Sequence, residues 1–156
     1  MDLQKDLTKI DYRNVFFKSY VFIYKDFGEV FKSFLDEIKK SKITPKGMFF
    51  LSVDDIKLTN DDVAIMEATL YQPAEENELP EGSELMYADA IVYNNMVSKV
   101  VEGDFMTNTE PAYNELIAEA QAKGKKISSS FFHEFIVRED ENGNKKAYCI
   151  IKAKMD

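Results

Sequence analysis

The order of predicted elements occurs twice along the chain, with an offset of about 80 residues between the copies. In each copy an apolar strand is followed by an amphipathic helix, a pair of phenylalanines and a closing strand; the pairs are Phe49-Phe50 and Phe131-Phe132. Such a pattern predicts a two-fold duplication rather than a solenoid. We therefore expect a single domain over 1–156, with copies at about 15–73 and 85–156 and a ligand cleft between the halves.

The first copy begins with residues 15–24, which are rich in the β-branched and aromatic types that strands prefer. The next segment, about 28–41, has apolar residues every three or four positions, which predicts an amphipathic helix. Met48–Val53 predicts a short strand, 54–62 a polar loop, and 64–72 a strand that Pro73 ends.

The second copy begins with a β-type run over 86–102, predicted to be one strand with a bend or bulge near Asn94-Asn95. A helix is predicted over about 110–123, capped by Asn108 or Thr109, with Pro111 in its first turn. Asn142-Gly143 predicts a hairpin between two strands at 131–138 and 146–155. Two helices and roughly eight strands predict an α+β fold, with the helices on one side of a mostly antiparallel sheet.

Between the copies lies an acidic segment, 74–84, with Pro80 and Gly82. Its composition is typical of a linker, or of a mobile flap beside a binding site.

Composition narrows the classes of function. The 156 residues are 45% hydrophobic and 31% charged, as in ordinary globular domains. A net charge of −8 argues against nucleic acid, since phosphate binding needs a basic surface, and it disfavours anionic membranes. The sequence contains no apolar signal segment and no glycine-rich phosphate loop, so we expect a cytoplasmic protein without a cofactor.

His133 and Cys149 are the only histidine and the only cysteine. A multi-histidine metal site and an internal disulfide are therefore excluded, and we expect no metal. Cys149 lies in an apolar strand and is interpreted as a small core residue, and His133 as a structural histidine. A reactive pair of the two residues is the less favoured interpretation, because no basic neighbours surround Cys149 in sequence. We expect no catalytic residue.

Two glutamates are candidate ligand-binding residues. Glu134 lies between Phe132 and Ile136 on one face of its strand, and Glu67 shares a face with Thr69 and Tyr71. A carboxylate in such surroundings is costly to bury without a partner. Each therefore either pairs with a lysine or tyrosine of the protein, points to solvent, or lines a ligand cleft. The residue types favour a structural role for Glu67 and do not decide for Glu134. Tyr20, Tyr71 and Phe132 are candidate walls of the same cleft.

Three segments resemble the gyrase-inhibitor-like (GyrI-like) effector-binding family, which includes the drug-sensing halves of multidrug-responsive transcription regulators. They are Val100–Phe105, Met66–Pro73 and Phe131–Ile136. The resemblance implies a duplicated strand–helix–strand–strand fold, with Glu134 in a central cleft that receives cationic or aromatic compounds. Unlike many members, this chain has no tryptophan, and it has no helix-turn-helix segment. It is also similar to a stand-alone family of Gram-positive bacteria that is sometimes encoded near secretion and toxin loci.

Three functions follow as hypotheses. The first is a small-molecule binding protein in which Glu134 anchors a flat, hydrophobic or cationic ligand. The second is a protein-interaction or immunity-type module that contacts a basic partner through the acidic segment. The third is a small-molecule hydrolase that uses Glu134 as acid or base. A homodimer formed through an exposed sheet edge is compatible with each of these.

Overall fold

The structure, a computed structural model, describes residues 6–102 and 105–156. In those residues it contains two α-helices, α1 (Phe27–Lys40) and α2 (Phe105–Ala122). It also contains seven strands: β1 (Ile10–Ile23), β2 (Phe50–Leu58), β3 (Ala64–Pro73), β4 (Met86–Tyr93), β5 (Met96–Glu102), β6 (Phe131–Glu139) and β7 (Lys145–Lys154). The pairs β1–β3, β2–β3, β5–β7 and β6–β7 are antiparallel. The expected α+β class is confirmed.

The chain divides into two compact units. The first, Asp11–Ile91, contains α1 and is called the α1 unit. The second combines Val92–Asp156 with the segment that ends at Ile10, contains α2, and is called the α2 unit.

In the α1 unit the strand order is β4-β1-β3-β2. Phe17 pairs with Tyr71 and Ser19 with Thr69, and across β2 Phe50 pairs with Tyr71 and Ser52 with Thr69. Since side chains alternate along a strand, these residues share one face of the sheet. The rings of Phe22 and Phe27 meet at 6.1 Å on the other face, which places α1 there. We call the first face the helix-free face of the α1 unit.

Helix α1 forms as its apolar spacing predicts. Phe34 and Ile38 are buried, while Lys39 and Lys40 lie in the last turn, where cations favour the negative end of the helix dipole. The helix ends at Lys40, and Pro45 in the following turn forms a bridge with Ala74.

In the α2 unit the order is β6-β7-β5. One side of this sheet packs against α2 in a core that contains Val97, Val101, Ala112, Leu116, Ala120, Cys149, Ile151 and Met155. On the opposite side, the helix-free face of the α2 unit, Phe132 pairs with Lys152 and Glu134 with Ile150.

Three predicted boundaries are wrong. Residues 54–58 continue β2 instead of forming a loop, because Asp54 is a β-bulge after which Asp55 pairs with Glu67. The run 86–102 is two strands, separated where Asn95 adopts a left-handed φ of 58°. Helix α2 already includes Phe105, so Pro111 lies inside it and not in its first turn. Of the expected turn at Val100–Phe105, positions 103 and 104 lie outside the described residues.

The hairpin predicted at Asn142-Gly143 is present between β6 and β7, and Gly143 has the positive φ of 79° that such turns require. Neither helix in the described part of the chain is long and apolar enough to cross a membrane.

Candidate functional site

A row of stacked aromatic rings crosses the helix-free face of the α1 unit. The ring of Phe50 stacks on Tyr12 at 4.4 Å and on Tyr71 at 4.6 Å, and Tyr71 meets Phe17 at 5.6 Å. Phe50 is buried, whereas the other three rings are half-buried. The row therefore presents partly exposed aromatic rings on either side of the buried Phe50 ring. Sites that bind flat ligands are commonly lined by aromatic side chains in this way.

A polar cluster continues this face. The carboxylate of Asp54 accepts a hydrogen bond from the Ser52 hydroxyl at 2.8 Å and another from Thr69 at 2.7 Å. The Thr69 hydroxyl also meets that of Ser19 at 2.8 Å, and Ser52 meets the Tyr71 hydroxyl at 3.2 Å. We call Asp54 and these four hydroxyl residues the Asp54 cluster.

The bulge in β2 explains how an acid reaches this face. Val53 pairs with Ala68 and Asp55 with Glu67, so Asp54 has no cross-strand partner of its own. A bulge re-aims the side chain of the extra residue and lets the rest of the strand keep its alternation. Ser52 and Thr69 are buried, whereas Asp54 is exposed. The carboxylate is therefore hydrogen-bonded to two buried hydroxyls and is also accessible to solvent.

Glu134 lies on the helix-free face of the α2 unit, where it forms an ion pair with the ammonium of Lys152. Both side chains are almost wholly buried, with 3% and 1% of their surface exposed. Burial of two charges is tolerated only when each is compensated. Of the alternatives left open by the sequence, the structure thus shows Glu134 with a lysine of the protein, and its ligand-binding role stays a prediction.

Lys152 has further partners. Its Nζ donates hydrogen bonds to the backbone carbonyl oxygens of Asp6, at 2.5 Å, and Lys9, at 2.8 Å. Together with Glu134 these acceptors match the three donors of an ammonium group. Lys152 therefore holds the segment before β1 against the α2 unit.

His133 and Cys149 meet on the opposite, α2-facing side of this sheet. The sulfur of Cys149 lies 3.5 Å from His133 Nδ1, and the hydroxyl of Tyr113 lies 2.5 Å from Nε2. Burial lowers the pKa of His133 to about 3. Burial, with a smaller contribution from Glu134, raises the pKa of Cys149 to about 12. At neutral pH the array is an uncharged core contact, without the thiolate that a nucleophile needs.

The other predicted site residues are divided between faces. Phe132 is buried one alternation from Glu134 and contacts the Tyr93 ring at 4.9 Å. Glu67 shares the helix-free face of the α1 unit with Tyr71 but is exposed.

Tyr20 lies on the α1-facing side, since Ser19 and not Tyr20 pairs with Thr69. Burial, with Glu37 and Glu84 nearby, raises its pKa to about 12. Tyr20 and Tyr71 therefore do not form one wall.

The acidic segment 74–84 belongs to the α1 unit and is bonded at both ends. Near its start, the backbone N–H of Glu75 donates to the carbonyl of Thr44 at 3.0 Å, and Glu76 Oε1 accepts from Thr44. At its end, Glu84 pairs with Lys18 at 3.2 Å. Anchored ends distinguish this segment from a free linker.

The sequence pattern does not indicate the Asp54 cluster. Asp54 falls in a segment whose composition predicts a polar loop, and Ser52 lies in an otherwise apolar run. Among the described residues, no group of three or more histidine, cysteine or acidic side chains is placed to hold a metal ion.

The architecture is similar to a known one. The crystal structure of the EcmrR C-terminal domain matches this chain with a TM-score of 0.64 and 14% sequence identity, over 95% of each chain. At this identity the likeness concerns the fold, and it is consistent with the effector-binding architecture that the sequence resembles. Residues 11–156 match the family described as Domain of unknown function (DUF5085), and the chain belongs to that family. No curated protein matches the sequence.

Proposed function

We propose that this protein binds a small, flat aromatic molecule that is cationic or donates hydrogen bonds. The helix-free face of the α1 unit is its binding surface. The observation that carries the proposal is the placement of the Asp54 carboxylate beside the aromatic row that contains Tyr71. The aromatic rings would hold the flat part of the ligand, and the carboxylate its positive or donating group.

The charge balance of the site supports a cationic ligand. Within 6–102 and 105–156, the hydrogen-bond donors that reach Asp54 are neutral hydroxyls, from Ser52 and Thr69. A carboxylate held in this way keeps its full negative charge and has lone pairs left to accept further bonds. Aromatic faces also attract cations through the ring quadrupole. The effector-binding resemblance and the fold likeness support the same class of function.

The test is an equilibrium titration of the full chain with rhodamine 6G, a flat aromatic cation, followed by fluorescence anisotropy. We expect Asp54→Asn to weaken binding by about tenfold or more, since a bond to a charged group contributes roughly 1.5–3 kcal/mol. Asp36→Asn, at an exposed position on α1, removes the same charge elsewhere and serves as the control. Fluorescein, an anion of similar shape, should bind more weakly than the cation.

The result also separates the two candidate anchors. If Asp54→Asn binds rhodamine 6G as the native protein does, with an unchanged circular dichroism spectrum, the Asp54 proposal is wrong. Loss of binding in Glu134→Gln alone, with a circular dichroism spectrum that shows the variant still folded, would instead identify Glu134 as the ligand anchor.

A second candidate function is recognition of a basic protein. Glu75, Glu78 and Glu81 are exposed on a segment whose ends are fixed, so their charges form a defined surface. Charge complementarity of this kind mainly raises association rates. Loss of a stoichiometric partner in the triple glutamine variant, with rhodamine 6G binding unchanged, would support this function instead.

The hydrolase hypothesis has less structural support. A substrate would have to displace the Lys152 ammonium before the Glu134 carboxylate could exchange a proton with it.

A further inference from the structure

The hairpin end of the α2 unit contains a cavity that the proposed function does not use. Its volume is about 360 Å³, and it is lined by Arg138, Glu139, Asp140, Glu141, Lys146 and Tyr148. Cavities of this size accommodate small organic molecules.

Two cations lie side by side in this cavity. Arg138 on β6 is the direct cross-strand partner of Lys146 on β7. Like charges in this position destabilise a strand pair unless an anion compensates them. Lys146 pairs with Glu102 at 3.3 Å. In the ranges 6–102 and 105–156, no residue accepts a hydrogen bond from the Arg138 guanidinium. An arginine in a concave site without a protein acceptor is suited to bind a carboxylate through two parallel hydrogen bonds.

The lining of the cavity also contains three acids, Glu139, Asp140 and Glu141. Asp140 belongs to the turn, because its carboxylate accepts the backbone N–H groups of Asn142 and Asn144, both at 2.9 Å. These bonds lower the pKa of Asp140. Glu139 and Glu141 also line the cavity and are exposed. A purely anionic ligand would be repelled by these acids, whereas a ligand with an ammonium group would be attracted to them.

The Tyr148 side chain is buried, with 8% of its surface exposed, and lines the same cavity. It offers ring surface next to the two cations, which suits an apolar or aromatic substituent.

We propose that this cavity binds a small zwitterion of the amino-acid class with an aromatic or apolar side chain. The ligand carboxylate is held by Arg138 with help from Lys146. The ammonium group is attracted by Glu139 and Glu141, and the side chain packs on Tyr148.

Three small molecules test the proposal, with the uniformly ¹⁵N-labelled full chain observed by NMR. Phenylalanine carries both charges, 3-phenylpropanoate lacks the ammonium group, and phenethylamine lacks the carboxylate. We expect phenylalanine to shift the amide signals of 138–148 and to bind at least about tenfold more tightly than either of the others, because each of them loses a charged contact. Equal affinity for all three, or shifts confined to other regions, would overturn the proposal.

Two matched variants locate the contacts. Arg138→Gln should abolish the phenylalanine response, whereas Lys145→Gln, which removes a neighbouring exposed charge, should retain it. The double variant Glu139→Gln/Glu141→Gln should remove the preference for phenylalanine over 3-phenylpropanoate. If Arg138→Gln binds phenylalanine normally, the proposed site is wrong. Rhodamine 6G binding in the same variant reports separately on the Asp54 cluster, so failure of one proposal does not imply failure of the other.

Discussion

Each unit has a carboxylate on its helix-free face, and the two carboxylates differ in their burial and in their hydrogen-bond partners. In the α2 unit, Glu134 is buried and its charge is compensated by Lys152, whose other donors reach backbone carbonyls. In the α1 unit, Asp54 is exposed, and the donors that reach it from the described residues are the hydroxyls of Ser52 and Thr69. An internal ion pair fixes structure, since neither charge can move without exposing the other. Neutral donors orient a carboxylate without compensating its negative charge, so a cation from outside the protein can still pair with it. This difference is the basis for the proposal that Asp54, and not Glu134, contacts the ligand.

The largest expected effect tests the structural half of this comparison. Lys152→Met leaves the Glu134 charge buried without its counterion, and breaking such a pair typically costs about 3–5 kcal/mol. We expect a loss of this size in the free energy of unfolding, measured with urea. Lys123→Gln, at an exposed ion pair, should change it little.

The double variant Glu134→Leu/Lys152→Met should recover much of that stability, because no buried charge remains. If Lys152→Met is as stable as the native protein, the ion pair does not stabilise the fold, and Glu134 is again a candidate to bind the ligand.

A second, smaller effect concerns pH and the α2-facing side of the same sheet. The pKa of His133 is lowered to about 3 by burial, whereas an exposed histidine titrates near 6.5. Below pH ~6.5 the unfolded chain therefore binds a proton that the folded chain does not, so stability falls as the pH falls.

Between pH 6.5 and 5 this contribution amounts to about 2 kcal/mol, and a His133→Gln variant should lack it. Urea unfolding of both proteins at pH 7, 6 and 5 measures the difference. Parallel pH profiles for the two proteins would show that His133 binds protons equally in the folded and the unfolded chain, and would contradict the prediction.

The smallest expected effect is that of removing a hydroxyl group that donates to Asp54 in the α1 unit. Ser52→Ala removes one donor to Asp54. It should lower the free energy of unfolding by only about 1 kcal/mol, the usual contribution of a single hydrogen bond. It should weaken rhodamine 6G binding less than Asp54→Asn does, because the charge remains. If Ser52→Ala reduces binding as strongly as Asp54→Asn, the hydroxyls themselves contact the ligand.

Much of the fold was predictable because it follows from periodicity. The spacing of Phe34 and Ile38 predicted α1, and Asn142-Gly143 predicted the last hairpin. The start of α2 was not predictable from its capping signals, since Thr109 and Pro111 are compatible with a helix start but lie inside the helix.

The candidate site was less accessible to sequence reasoning. The apolar surroundings of Glu134 indicated that a buried acid needs a partner, but its identity as Lys152 depends on strand register, which the sequence does not display. The position of Asp54 depends on one extra residue in β2, and no residue type marks a bulge at that point.

The bulge has a consequence for how the proposed binding surface can change during evolution. Because Val53 and Asp55 already face consecutive residues of β3, deletion of the Asp54 codon would leave the inward or outward orientation of every other β2 side chain intact. One in-frame insertion or deletion at this position is thus enough for a lineage to gain or lose the acid. Variation in length at this codon among relatives would then mark changes in the charge of the preferred ligand.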